Sequence, residues 1–224
     1  MHKAKPAPTI AHMGADDIPA LWELEQAAFP PGFQASVAIM AERVRRGHVF
    51  LGARLGERLV GAVCYVLTKL DPHDAEAFPR TFAEYSSTVS SAPPLSAYVY
   101  SLGVHPDFRA TRVVLQLIEA GVASIVRSGC RYITCDGPCN AYAGTADGSI
   151  ACNDRFRRAI DQWRETGMKP PERHLLLDPV LRFYKQVLRC EFLYLKPAFL
   201  PGDSASGGHR VILLKRLPEA GAIP

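Results

Sequence analysis

One segment constrains the fold more than any other. Ala97–Val104 (AYVYSLGV) is apolar enough for a buried strand, and Pro106 turns the chain. Thr111–Ser128 then has the strongest helical pattern in the sequence. Val113, Val114, Leu117, Ile118, Gly121, Val122, Ile125 and Val126 fall in pairs four apart and form one buried stripe. Gly129 follows as a stop. A strand that turns tightly into a long helix offers amide N–H groups and a positive dipole end at the turn, the setting in which phosphate binds. Arg109 and Arg112 flank that turn and add charge and hydrogen bonds. Gly103 leaves room beside the strand for a narrow ligand.

The rest of the chain supplies a layered α/β frame. Thr9–Met13 reads as a strand and Asp16–Phe29 as a helix, stopped by Pro30-Pro31. A second helix fits Ser36–Arg46. Val49–Arg54 and Leu59–Thr68 form a hairpin signal around Gly56. The Pro-, Ser- and Ala-rich stretch 70–96 reads as a surface excursion with a helical turn at Ala75–Phe82, either a substrate lid or a plain insertion. Tyr132–Cys135 is a short strand and Gly137–Ser149 a turn-rich loop. Asn153 or Asp154 caps a helix reaching Glu165, and Asp178-Pro179 starts another through Leu188. Glu191–Phe199 and His209–Leu217 are the last strands. We expect a single domain over 9–217, with loose tails at 1–8 and 218–224.

Composition excludes several classes. With 224 residues, 48% hydrophobic and 21% charged, the chain carries enough apolar material for a real core. No apolar run is long enough to span a bilayer, so no membrane partner is expected. No apolar signal-peptide core follows the N-terminal residues, so a cytoplasmic location is the expectation. A net charge of +4 is too mild to make nucleic acid the default partner. Six cysteines, four of them between 130 and 152, lack paired C-x2-C knuckles; they read as reduced thiols and no metal is expected.

Val104-His105-Pro106-Asp107-Phe108-Arg109 resembles the acyl-CoA motif of the GNAT superfamily of N-acetyltransferases. There a strand ends in Val-x-Pro, and Arg-x-x-Gly-x-Gly/Ala opens the long helix. Here Arg112 and Val114 replace the small residues. The resemblance implies a mixed, mostly antiparallel central sheet with helices on both faces. It also implies a donor site for acetyl-CoA or another acyl-CoA at Leu102, Gly103, Val104, Arg109, Ala110, Thr111, Arg112, Val113, Val114 and Asn140. Phe183-Tyr184 stands where many members place a Tyr that protonates the departing thiolate, although a packing or anchoring role for Tyr184 is open.

The loop Gly137–Tyr142, the run Asp178–Phe183 and the tail 197–208 are similar to a GNAT branch fused to nitrilase-like hydrolases or built into polyketide loading modules. Many of that branch carry His where this chain has Tyr184. The expected activity is acyl transfer to an amine of a small molecule or protein. Transfer to the thiol of an acyl carrier protein, malonyl-CoA decarboxylation and a non-catalytic acyl-CoA or carrier-binding module are the alternatives. Candidate bases are His105, Asp136 and His174; Tyr100, Tyr142 and His174 are candidate acceptor-binding residues. Between 155 and 196, ten Lys/Arg stand against five acids, a surface for an anionic partner or a solvated helix face. A monomer or homodimer is expected.

Overall fold

The computed structural model describes residues 7–109 and 111–218. The remainder of the two expected tails, and Ala110, lie outside the described residues. In chain order the elements are β1 (Thr9–Met13), α1 (Ile18–Ala28), α2 (Val37–Arg45), β2 (Val49–Leu55), β3 (Arg58–Thr68), α3 (Phe82–Ser86), β4 (Ser96–Val104), α4 (Val113–Arg127) and β5 (Tyr132–Pro138). They continue with α5 (Asp154–Thr166), α6 (Glu172–Leu175), α7 (Pro179–Gln186), β6 (Glu191–Lys196) and β7 (Arg210–Arg216). The seven strands form a mostly antiparallel open sheet. The described residues form two compact units, one with residues 7–69 and 87–131 apart from 110, the other with 70–86 and 132–218.

In the first unit β1, β2, β3 and β4 pair antiparallel in that order. β3 is buried almost without interruption from Leu59 to Val66 because both of its faces are covered. Ala62 and Cys64 point into a cluster with Ile18, Leu21 and Leu24 of α1 and Met40 of α2. The alternate positions meet α4. Gly61 lies against Leu117 and Val113, Val63 lies against Gly121, and the Tyr65 hydroxyl donates to Ser124 Oγ at 2.8 Å. The period-2 strand and the 3.6-period helix stripe therefore explain each other. Caps are local: Ser36 Oγ accepts from the Ile39 N–H at the start of α2.

In the second unit β7 lies between β5 and β6, antiparallel to both. Val211 and Leu213 of β7 join Phe156, Ile160 and Trp163 of α5, Leu175 of α6 and Leu181 of α7 in one core. Ile212 and Leu214 alternate with them and are also buried, as are Phe78, Tyr85 and Phe199. The Phe78 ring lies 4.9 Å from that of Tyr85.

Four boundaries differ from the sequence reading. The helical turn expected at Ala75–Phe82 is instead a run of turns, with α3 starting at Phe82. Asp74 Oδ1 accepts from the N–H groups of Glu76 and Ala77, and Lys196 Nζ donates to the carbonyls of Ala75 and Phe78. Thr81 Oγ1 then accepts from the Glu84 N–H and sets the helix start. β5 runs on to Pro138 because β7 continues to pair with it as far as Arg210. Gly137 is needed there: a Cβ would stand 2.6 Å from Leu181 Cδ2 and 3.0 Å from Leu213 Cδ1. β6 stops at Lys196, since Pro197 lacks a donor and Ala198 turns the chain at φ +49°. α6 was not foreseen; Pro171 flanks it, as proline favours a helix start.

Candidate functional site

In the first unit, the C-terminal end of β4 and the start of α4 border an open groove of about 240 Å³. Leu102, Gly103, Val104, Arg109 and Val114 line it together with Ala28 and Phe29 from the end of α1. Five residues expected to hold the donor are thus gathered on one concavity. Gly103 keeps it open. A Cβ there would lie 2.9 Å from Phe29 Cε2 and 3.4 Å from Ala28 Cβ. Arg109 donates from Nη2 to the Ala28 carbonyl at 2.8 Å and from Nε to the Val104 carbonyl at 3.4 Å. Its guanidinium therefore braces the rim as well as charging it.

Thr111 Oγ1 donates to the Phe108 carbonyl at 2.6 Å and accepts from the Val113 N–H at 3.3 Å. These bonds fix the entry to α4. Arg112 sits at the N-cap, exposed, and Val113 is buried below it. Val114, where the GNAT pattern has a small residue, forms part of the groove wall.

His105 faces elsewhere. Arg58 Nη2 donates to its Nε2 at 2.9 Å, and its Nδ1 lies 3.5 Å from the Asp107 carboxylate. A turn ion cluster uses this ring.

Two residues before Leu102, β4 carries a bulge. Cys64 stands opposite Ser101 but Tyr65 opposite Val99, so Tyr100 is the extra residue. Its hydroxyl lies 3.0 Å from His48 Nδ1, and His48 Nε2 lies 2.7 Å from the Thr88 carbonyl. The Arg43 guanidinium sits 4.8 Å over the Tyr100 ring. Glu25 accepts from the Ala35 N–H at 2.9 Å. Burial depresses the His48 pKa and raises those of Tyr100, Glu25 and Cys64. Sequence reasoning picked out Tyr100 but missed His48, Arg43 and Glu25. A histidine directly before an apolar strand was the only local signal.

The second unit holds its own polar centre. Arg210, only 5% exposed at its side chain, donates to Asp136 Oδ2 at 3.0 Å. It also reaches Asp203 Oδ2 at 2.7 Å and Ser206 Oγ at 2.6 Å. Asp136 on β5 is therefore ion-paired to Arg210 at the start of β7. Tyr184 packs beside the α5–α7 core. Burial, reinforced by Cys135, Asp136 and Cys190, pushes its phenol well above the usual range, so it holds its proton. The interaction of the neighbouring Cys135 and Cys190 thiols raises the pKa of the first and lowers that of the second.

Tyr142 donates to Asp161 Oδ1 at 2.8 Å and stacks edge-on with His209 at 5.0 Å. The Asn140 carbonyl accepts from the Gly144 N–H inside the same loop. Asp178 anchors that loop to α7: it accepts from the Ala141 N–H at 2.7 Å and caps the helix through Val180 and Leu181. His174 lies on α6, half-buried. Among the described residues no group of three His, Cys, Asp or Glu converges as metal ligands. No helix among them is long and apolar enough to cross a membrane.

Comparison of the whole chain with solved structures decides the architecture. The loading GNATL domain of CurA from Lyngbya majuscula superposes with a TM-score of 0.70 at 16% identity, over 94% of this chain and 98% of that one. The chain has the GNAT fold. The GphF GNAT-like decarboxylase, solved with isobutyryl-CoA, gives 0.68 at 20% identity over 94% and 100%. The ribosomal-protein-S18-alanine N-acetyltransferase of Escherichia coli gives 0.56 at 12% over 96% and 97%. No family model and no curated protein sequence matches the chain.

Proposed function

We propose that this protein is a GNAT-superfamily acyltransferase that takes its acyl group from acyl-CoA and passes it to an amine. One observation carries the reading. The groove at the β4–α4 turn, kept open by Gly103 and braced by Arg109, occurs in a chain with the fold of solved CoA-bound proteins. In this reading the start of α4, with Thr111, Arg112 and Val113, attracts the pyrophosphate. Leu102–Val104 offer backbone to the pantetheine arm and polarise the thioester carbonyl. The neutral amine attacks the carbonyl carbon; the C–N bond forms, the C–S bond breaks, and its electron pair leaves on sulfur. Tyr184, at the position that the GNAT resemblance gives to the acid, protonates that thiolate.

Calorimetry with acetyl-CoA, isobutyryl-CoA and malonyl-CoA tests the donor, and CoA release with a panel of amines tests the reaction. The absence of both heat and thermal shift with every thioester overturns the reading. Binding without turnover favours a binding module. Loss of turnover in Tyr184→Phe, with thioester affinity retained, supports the acid role.

A second reading draws on the higher TM-scores to the loading domain and the decarboxylase. It moves the acyl group to a carrier-protein thiol or releases CO2 from malonyl-CoA. Mass spectrometry of a carrier protein incubated with malonyl-CoA reads both; an unmodified carrier and intact malonyl-CoA remove it.

A further inference from the structure

The proton positions in the Tyr100–His48 pair are fixed by what surrounds it. Thr88 presents a carbonyl oxygen, which can only accept, so His48 Nε2 carries the hydrogen of that 2.7 Å contact. In a neutral ring Nδ1 is then the acceptor, and Tyr100 O–H donates to it across 3.0 Å. A basic nitrogen is thus aimed at a phenol.

The groups facing the pair come from three elements, α1, α2 with its C-terminal end, and β3. Arg43 on α2 and Arg46 just past its end oppose a further positive charge, Glu25 on α1 offsets them, and Cys64 on β3 stays a neutral thiol. His48 is 6% exposed, whereas Tyr100 is only half-buried. The bulge places Tyr100 two residues from Leu102 on the groove wall, about 6–7 Å along the strand.

We propose that Tyr100 and His48 form the proton relay that deprotonates the acceptor amine. The proposal rests on the acyl-transfer reading above. As the amine nitrogen bonds to the thioester carbonyl carbon, its proton passes to Tyr100 Oη. The proton already on Oη passes to His48 Nδ1, and the C–S electron pair departs with CoA. Tyr100 never becomes a phenolate, in keeping with its burial. The imidazolium keeps its Nε2–H bond to Thr88 and later returns its proton to solvent. Tyr100 is the catalytic residue, touching the amine; His48 is a positioning residue that acts through it.

The test compares wild type, Tyr100→Phe and His48→Gln. Gln can donate to Thr88 and accept from Tyr100 but cannot take up a proton. Acetyl-CoA affinity is measured by calorimetry. Acetyl transfer to n-propylamine, spermidine and a tripeptide is followed from about pH 5 to about pH 9. We expect affinity to be unchanged, kcat to fall about 100-fold or more in both variants, and KM to move little. Wild-type kcat should rise with pH along a limb lying below about 6.5, and His48→Gln should lack that limb.

Wild-type kcat in either folded variant, or a limb that persists in His48→Gln, overturns the relay. Turnover that survives both substitutions overturns the relay alone; acetyl-CoA binding with no amine acetylated by wild type, or no binding at all, overturns the amine-transfer reading together with it. Nitrogen-15 NMR of labelled histidine in wild type provides a readout that needs no variant. The Nε2–H tautomer is expected for His48, and the Nδ1–H tautomer would exclude the relay.

Discussion

The guanidinium of Arg109, just past the turn, donates a 2.8 Å hydrogen bond to the carbonyl of Ala28, the last residue of α1. That carbonyl belongs to the set a helix leaves without an intrahelical donor, at the negative end of its dipole. One side chain thus closes α1 and shapes the groove that Arg109 lines. Arg109→Ala should lower stability by about 1 kcal/mol, given its partial exposure, and weaken acetyl-CoA binding about tenfold or more. Arg109→Lys should restore part of the binding, since it keeps the charge but not the planar fork. Urea melts and calorimetry read the two effects separately.

Gly103 and Phe29 set the width of the same groove. A Cβ at 103 would approach Phe29 Cε2 to 2.9 Å, so the ring must move into the space above it. Gly103→Ala should cost about 1–3 kcal/mol and reduce thioester affinity. Adding Phe29→Leu should recover stability beyond the sum of the two single changes, because the clash is shared. Simple additivity in the double-mutant cycle would show that the ring yields freely.

The β4–turn–α4 unit was legible because its signals are local and strong: a strand-length apolar run, Pro106, and a stripe four residues apart. The motif-based part of the groove, Leu102 to Val104 with Arg109 and Val114, follows from the same segment. Ala28 and Phe29 were not foreseen, since a fold brings them from 81 residues away in the case of the Ala28–Arg109 bond. The His48–Tyr100 contact spans 52 residues and leaves no mark in local sequence. Likewise, Gly137-Pro138 reads as a turn by composition, yet pairing with β7 overrides it.

Arg210 in the second unit faces Asp136 and Asp203 with a side chain only 5% exposed. Replacing it with an apolar residue leaves both carboxylates without their cation in a poorly hydrated place. Arg210→Met should therefore destabilise the fold by about 3–5 kcal/mol. Asp136→Asn keeps an oxygen for Arg210 Nε and should cost less. Denaturant midpoints at constant slope distinguish them; a neutral Arg210→Met would mean that water reaches the cluster.

Two histidines should make stability fall in mild acid. His48 has its pKa lowered first by burial, with Arg43 and Arg46 adding to the effect; His209 is lowered by burial, then by Arg164 and Arg210. The unfolded chain, with histidines near about 6.5, binds these protons before the folded chain does, so stability rises with pH across that window. The contribution is complete above about 6.5 and is lost as pH falls through the lower folded values. Glu25 and Asp178 are shifted upward by burial and act in the opposite sense, but around the lower carboxylate range. Urea midpoints should therefore drop between about pH 7.5 and about pH 5.5, less so in His48→Gln and least in His48→Gln/His209→Gln. Equal midpoints for wild type at both pH values would place these rings in contact with water.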